Sequence, residues 1–555
     1  MLRWSVLFAM SSVLALAAPE EPMPDIEAMI PAAVKALTEP RLKNFQGGLI
    51  MAITTSSDAA QAHVIAGLNQ LHGGWEFEAS RHFAVALRLD PQCLLAHWGM
   101  AISLLAPGPE TGKQRDAVLD RLLALTTQGV GNELERGYVY GLVQYYKEGP
   151  EAATDAYRKL SEKFPNDIQA TIFTALFGRG GYNDLDEATP EQERSEKLLE
   201  NVMVRYPDST LLMNALLTIR AEAPDLTGSL PMAKKLCQIA PDYPPYFQLL
   251  GHYEWRSGHH AEAAAAFSRA AELFEAWMTA SKATVMDCPG WVASESYRSV
   301  CLASKGDFDT ALAAASALAA RKVPMERAGS PGGRMLLWEG KTLPARLLIS
   351  RGQRGDAAKA LATLPKVEEI AAYREKSLAC WYVDGLRLHL EALRLMDEQK
   401  YQEAVDVVEA MSHYGEQMSL VQEASSVGGE RSFWNRAFRA LEVSACELRG
   451  RLALAGPKAG YGSAYNWFRS AVDRQARSTQ LLPPAILTPM ALRLGDYQLA
   501  VGKPAEAIEA YREALRGFPN DMNSLKGLAN ACDKADRKEE AETVRKQIEA
   551  LSADR

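Results

Sequence analysis

Nine histidines occur in a chain of 555 residues, and four of them, His63, His72, His82 and His97, fall in one short stretch near its start. Imidazoles gathered in this way raise two kinds of chemistry, transition-metal ligation and acid–base catalysis, because the neutral ring binds metals and titrates near neutral pH. The spacing argues against both. His63 and His97 fall on the first helices of successive units, whereas His72 and His82 lie at and after a turn, so a shared metal would need them to converge from separate places. We expect these side chains, and the turn pair His259–His260, to be solvated or to cap carbonyls. Seven cysteines, Cys93, Cys237, Cys288, Cys301, Cys380, Cys446 and Cys532, are dispersed without a CxxC pair or a histidine at ligand spacing. They are expected to be buried small apolar residues, with no bridge between the nearest pair, Cys288 and Cys301. No metal and no cofactor is implied.

Two clusters suit binding better than catalysis. Gln248, His252, Trp255 and Arg256 fall on one face of a helix, where an aromatic, a cation and two neutral hydrogen-bonding groups could hold an extended peptide or a sugar edge. The competing expectation is that Trp255 packs against the next unit and Arg256 is solvated. Lys526 and Asn530, one helical turn apart, could both reach one carboxylate, although Asp496 at the corresponding place one unit earlier repels an anion. A solvated capping helix is the plainer alternative there. Catalytic signatures are missing: there is no GxSxG, HExxH, phosphate-binding Walker loop or dinucleotide fingerprint. Glu368–Glu369 and Glu539–Glu540 read as solvated helix surface, and Gly428–Gly429–Glu430–Arg431 precedes a helix without the strand and lysine of a phosphate loop.

The elements that must position these side chains are helical pairs repeating at about 34 residues. The cleanest copy has Phe247, Leu250 and Gly251 on one helix, Gly258 at the turn, and Ala263, Phe267 and Ala270 on the next. Small residues mark where the two helices cross, and Gly258 supplies the positive φ that ends the first. A second copy has Gly67, Ala79, Phe83 and Ala86 before Asp90–Pro91. A third has Leu494, Gly495, Gly502, Ala507, Tyr511, Ala514 and Pro519, followed by a weaker unit with Leu525, Leu528 and Ala541. Fainter copies lie between them, at Gly141, Ala153 and Tyr157; Gly306 and Ala311; Gly352, Ala357 and Leu361; and Tyr401 and Ala404. Irregular stretches are expected at 177–190, 222–230, 321–334, 425–431 and 456–463, with a bend near Cys288–Pro289–Gly290. The expected architecture is an all-α, right-handed α-solenoid of tetratricopeptide-like helix-turn-helix repeats, whose first helices line a concave face.

Composition agrees with a folded, water-exposed chain: 47% hydrophobic, 23% charged, with 61 basic against 69 acidic residues. A formal charge of -8 over this length offers no basic field for nucleic acid. Arg3, the apolar run Val6–Leu16 and the small-x-small Ala15–Leu16–Ala17 read as a signal peptide, residues 1–17, cleaved after Ala17. No stable membrane insertion is expected, and the protein is expected to be periplasmic or secreted. The division read from the repeats is a lead segment at 18–58, repeats at 59–280 and further repeats at 281–555, continuous with the first.

Over most of this length the chain resembles a large, uncharacterised family of bacterial tetratricopeptide-repeat proteins. The likeness is carried by Leu89–Asp90–Pro91–Gln92–Cys93 with His97–Trp98–Gly99–Met100–Ala101, by the Tyr243 to Phe267 region, and by Pro483–Pro484 through Leu494–Gly495 and Tyr511–Arg512–Glu513–Ala514–Leu515 to Pro519. The resemblance implies histidines in the opening repeat and the centre. This chain departs from it, with Trp75–Glu76, Asn214, Thr218 and Gln248 around the retained His252, and Cys288–Pro289–Gly290–Trp291 where the family has paired histidines. The expected function is therefore a non-enzymatic scaffold whose concave face takes a protein or peptide segment. A metal-dependent hydrolase or its degenerate relative, and a structural subunit of an envelope assembly, are the alternatives.

Overall fold

A computed structural model describes residues 25–105, 111–183, 186–423, 428–455, 462–476 and 478–553. The proposed signal peptide lies outside these residues. Among them the fold is all-α, a tetratricopeptide-type solenoid of antiparallel helical pairs, and the one sheet-like feature is an isolated bridge between Tyr182 and Ala188.

Local chemistry sets the helix ends. Asn132 and Glu135 form a reciprocal capping box at the start of Glu133–Glu148, while Ser57, Asp167, Ser209 and Asp521 accept amide hydrogens at four other helix starts. Pro150, Pro190, Pro244, Pro289 and Pro504 occupy first-turn positions, where the missing N–H is no loss. Gly258 adopts φ 80° between Pro244–Arg256 and His260–Ser281, as its place at the turn required.

Pairing is built on a seam of glycine against aromatic ring. A Cβ at Gly67 would come within 2.7 Å of Phe83, at Gly141 within 2.5 Å of Tyr157, at Gly251 within 2.7 Å of Phe267, and at Gly495 within 2.6 Å of Tyr511. Each ring thus lies against the bare backbone of the partner helix, which explains why Gly and aromatic recur at a fixed separation. Phe83 and Tyr511 are also pressed from the other side, by Gly99 and Gly527 on the next first helix, so one ring joins two units. The middle is less regular: Pro331–Met335, a π-turn at Leu336–Gly340 and Leu343–Arg351 together take the place of a single first helix.

Distant parts of the chain meet. Trp277 on the long helix His260–Ser281 donates to Glu78 at 2.9 Å, and Arg81 donates to Ser281 at 3.0 Å, tying the opening pair to a helix some two hundred residues later. Near the other end, Asn520 donates to the Gly258 carbonyl at 3.1 Å, and Phe518 meets Trp255 edge to face. Two segments without helix cross the first helices. One lies in the lead segment, residues 38–57, and the other lies between Ala464–Arg474 and Met490–Ala500, residues 478–489.

Candidate functional site

The concave face is the surface made by the first helices of successive pairs, and most of it is covered by the chain itself. Along 38–57, Phe45 meets Tyr243 edge to face at 5.0 Å, Thr210 donates its amide to Gly47 at 3.1 Å and its hydroxyl to Gln46 at 2.8 Å, and the Leu49 amide donates to Asn69 at 2.6 Å. Further on, the Thr54 amide donates to Glu135 at 2.6 Å and the Thr55 hydroxyl to Asp90. Asn69, Glu135 and Thr210 belong to first helices, so this segment straps the N-terminal half from within.

The second strap, 478–489, does the same further along. Tyr297 donates to the Thr479 carbonyl, Arg436 to Pro483 at 2.6 Å, and Arg346 to Pro484 and, at 2.8 Å, to Ala485. The two guanidiniums share one buried carboxylate: Glu339 contacts Arg346 and, at 2.8 Å, Arg436. Burial works against the charge on Arg346, but Glu339 outweighs it and holds the pKa above its ordinary value.

The cluster Gln248, His252, Trp255 and Arg256 is not laid open along a groove. His252 is fully buried between neighbouring helices, its Nε2 donating to the Ala221 carbonyl at 2.8 Å and its Nδ1 lying 3.3 Å from the Tyr297 hydroxyl, whose proton goes to the Thr479 carbonyl. Burial pulls its pKa down to about 3, so the ring is neutral at ordinary pH. Trp255 packs against Tyr297 and Phe518, and Arg256 is buried with a bond to the Ala223 carbonyl at 2.8 Å rather than solvated. Gln248, half-buried, donates to Gly290 at 2.8 Å. The reason is what lies beside this helix: the segment after Thr210–Arg220, the helix Pro289–Ser304 and Phe518 meet these side chains before solvent does.

The histidines of the opening repeat also differ from expectation. His72, His82 and His97 are buried, not solvated, and only His97 takes the expected carbonyl, that of Pro91 at 3.0 Å. His63 and His82 face each other with their Nδ1 atoms 3.1 Å apart, while His72 bonds Gln169 at 2.8 Å on another helix. Among the described residues no group of three His, Cys, Asp or Glu side chains is placed to hold a metal ion. Asn214, at a position where the resemblance implied histidine, donates to the His72 carbonyl at 2.8 Å. All seven cysteines are buried free thiols.

The concave face opens at the end of the second strap. A cavity of about 420 Å³ is lined by Arg351 and Gly352, by Arg493 and Asp496 on Met490–Ala500, by Tyr511, and by Asn523, Lys526 and Asn530 on Met522–Lys534. Lys526 and Asn530 thus lie in one concavity, joined by Asn523, a turn earlier on the same exposed face, which the sequence reading missed. Arg351 pairs with Asp356, and Arg493 with Glu447 at 3.0 Å, whereas Lys526 has no carboxylate within ion-pair distance among the described residues. Asp496 accepts from the Tyr511 hydroxyl at 2.9 Å.

The tetratricopeptide-repeat profile matches residues 492–553, the stretch that carries most of this cavity. No curated protein matches the chain. Among solved structures, the P58(IPK) TPR domain is 15% identical, covering 86% of this chain and 98% of that one with a TM-score of 0.19. A human IFIT1 dimer with m7Gppp-AAAA is 12% identical over 90% and 92%, with a TM-score of 0.32, and yeast Tom70 is 12% identical over 89% and 92%, with a TM-score of 0.30. Scores this low carry no argument, and the tetratricopeptide type rests on the helical pairs and their glycine seam. No helix among the described residues is long and apolar enough to cross a membrane.

Proposed function

We propose that the protein is a non-enzymatic interaction scaffold that holds an extended polypeptide segment in the open C-terminal concavity. The observation that carries this reading is Lys526, an exposed ammonium without an ion-pair partner among the described residues, in a cavity with two side-chain amides and one carboxylate. Lys526, Asn523 and Asn530 suit a carboxylate of the bound segment, since an ammonium and amides donate to the same anion. Asp496, adverse to a bare anion, suits a backbone N–H one or two residues earlier in that segment. A polypeptide end carries both groups, so the mixed charge of the site fits a peptide better than an inorganic anion.

Affinity selection from two libraries of synthetic peptides, one with free C-terminal carboxylates and one amidated, tests the reading. The protein is expected to enrich the free library, and Lys526→Ala to weaken the retained peptides about tenfold, near 1.4 kcal/mol. Equal recovery from both libraries, or no effect of Lys526→Ala and Asn530→Ala, overturns it. The same reading takes the chain to be exported after loss of residues 1–17, on the pattern of Arg3 and the apolar run before Ala17. Sequencing the N-terminus of the protein from its native host checks that point.

A further inference from the structure

The second strap is bound as a peptide ligand is bound. It forms no ladder with a neighbouring strand and belongs to no helix, and its backbone is held by side chains of separate first helices: Tyr297, Arg346 and Arg436. All three donate to carbonyls, which suits a segment whose prolines, Pro483, Pro484 and Pro489, have no N–H to offer. Leu482 is buried while its neighbour Leu481 is 67% exposed, the alternation of an extended chain lying on a surface.

The fit is incomplete. A cavity of about 20 Å³ remains where Ala485, Ile486, Leu487 and Thr488 cross Tyr382, His389 and Glu447. His389, 4% exposed, makes no hydrogen bond to the protein through either ring nitrogen, and its approach to Glu447 is long at 3.9 Å. The Thr488 hydroxyl is buried without a partner as well. A buried donor or acceptor left unmatched is costly, so a segment that matched these groups would bind more tightly than the resident one.

We propose that the face formed by Pro289–Ser304, Leu343–Arg351, Ala379–Asp397 and Arg431–Ala455 is a groove for an extended, proline-containing polypeptide, and that residues 478–489 are its resident ligand, displaceable by a partner segment of that kind. The groove recognises main-chain carbonyls through Arg346 and Arg436, and His389 is the group that would favour a partner over the resident strap. Thr488 borders both cavities, but the inference uses none of Lys526, Asn523, Asn530 and Asp496, so it stands or falls apart from the proposed function.

Hydrogen exchange on the unmodified full chain is the first test. The strap amides at 479–482 and 485–488 are expected to exchange at least about tenfold faster than those of Leu343–Arg351 and Arg431–Ala455, through local opening. Protection equal to that of the helices overturns the proposal. The second test adds a labelled synthetic peptide of the 478–489 sequence to a full chain with a loosened strap, Leu482→Ser and Leu487→Ser. Binding at least about tenfold tighter than to the unmodified chain is expected, and its loss on adding Arg436→Gln. A loosened chain that keeps its helical circular dichroism but binds no peptide overturns the proposal. So does one that unfolds, because the segment is then core.

Discussion

The two straps cross equivalent surfaces with different chemistry. The first is held both ways: Asn69, Glu135 and Asp90 receive its amide hydrogens, while Thr210 and Arg81 donate to its carbonyls. The second is rich in proline and offers carbonyls, and the helices answer with Tyr297, Arg346 and Arg436. The lesson is that strap composition dictates what the helices must carry. A segment with few amides requires donors, guanidinium is the donor with the most N–H groups, and holding one guanidinium buried and a second partly buried requires the fully buried Glu339. The N-terminal half therefore rests on individual polar contacts and the C-terminal half on one charged knot.

Acid should separate the halves most. Burial lowers His72 and His97 to about 4 and His82 to about 3 in the N-terminal half, His252 to about 3 at the centre, and His389 to about 4 in the C-terminal half. These folded values lie below the ordinary 6.5, so between about pH 6.5 and 4 the unfolded chain binds more protons. The stabilisation is complete above about pH 6.5 and is lost as pH falls, by up to about 1.4 kcal/mol per pH unit for each imidazole. Urea unfolding from pH 7 to pH 5 should show the loss, and hydrogen exchange at pH 5 should show the N-terminal helices losing protection first. Equal loss in both halves would break the comparison.

Single substitutions sharpen it. Glu339→Ala leaves the buried Arg346 and the partly buried Arg436 without their shared carboxylate and is expected to cost about 3–5 kcal/mol in denaturant unfolding. Asn69→Ala removes a neutral acceptor from the Leu49 amide and should cost less, about 1–3 kcal/mol. A reversal of that order would mean that the charged knot is not what holds the second strap.

The helical pairs were legible because each depends on residues close in sequence. Gly251 and Phe267 must stand in fixed register for a ring to lie on a bare backbone, and the same demand at Gly67, Gly141 and Gly495 repeats the pattern. The straps were not legible. An extended segment has no helical period, and Pro483–Pro484 gave no hint that Arg346, 138 residues away, would take its carbonyl. The same blindness explains Gln248, His252, Trp255 and Arg256: the register placed them on one helix face, but what covers that face comes from Ala221, Gly290, Tyr297 and Phe518. Lys526 and Asn530 escaped this fate because the second strap turns into the helix Met490–Ala500 after Pro489 and leaves their face uncovered.

That difference sets the smallest expected effect. Lys526 is exposed, has no ion pair among the described residues, and stands where the concave face is uncovered. Surface residues without partners contribute little to folding, so Lys526→Ala should shift unfolding by no more than about 0.5 kcal/mol. Paired with the loss from Glu339→Ala, this separates a side chain kept for the fold from one left for a partner. A loss above about 1 kcal/mol on Lys526→Ala would place the ammonium in a structural role, and the cavity would become one more self-covered part of the same face.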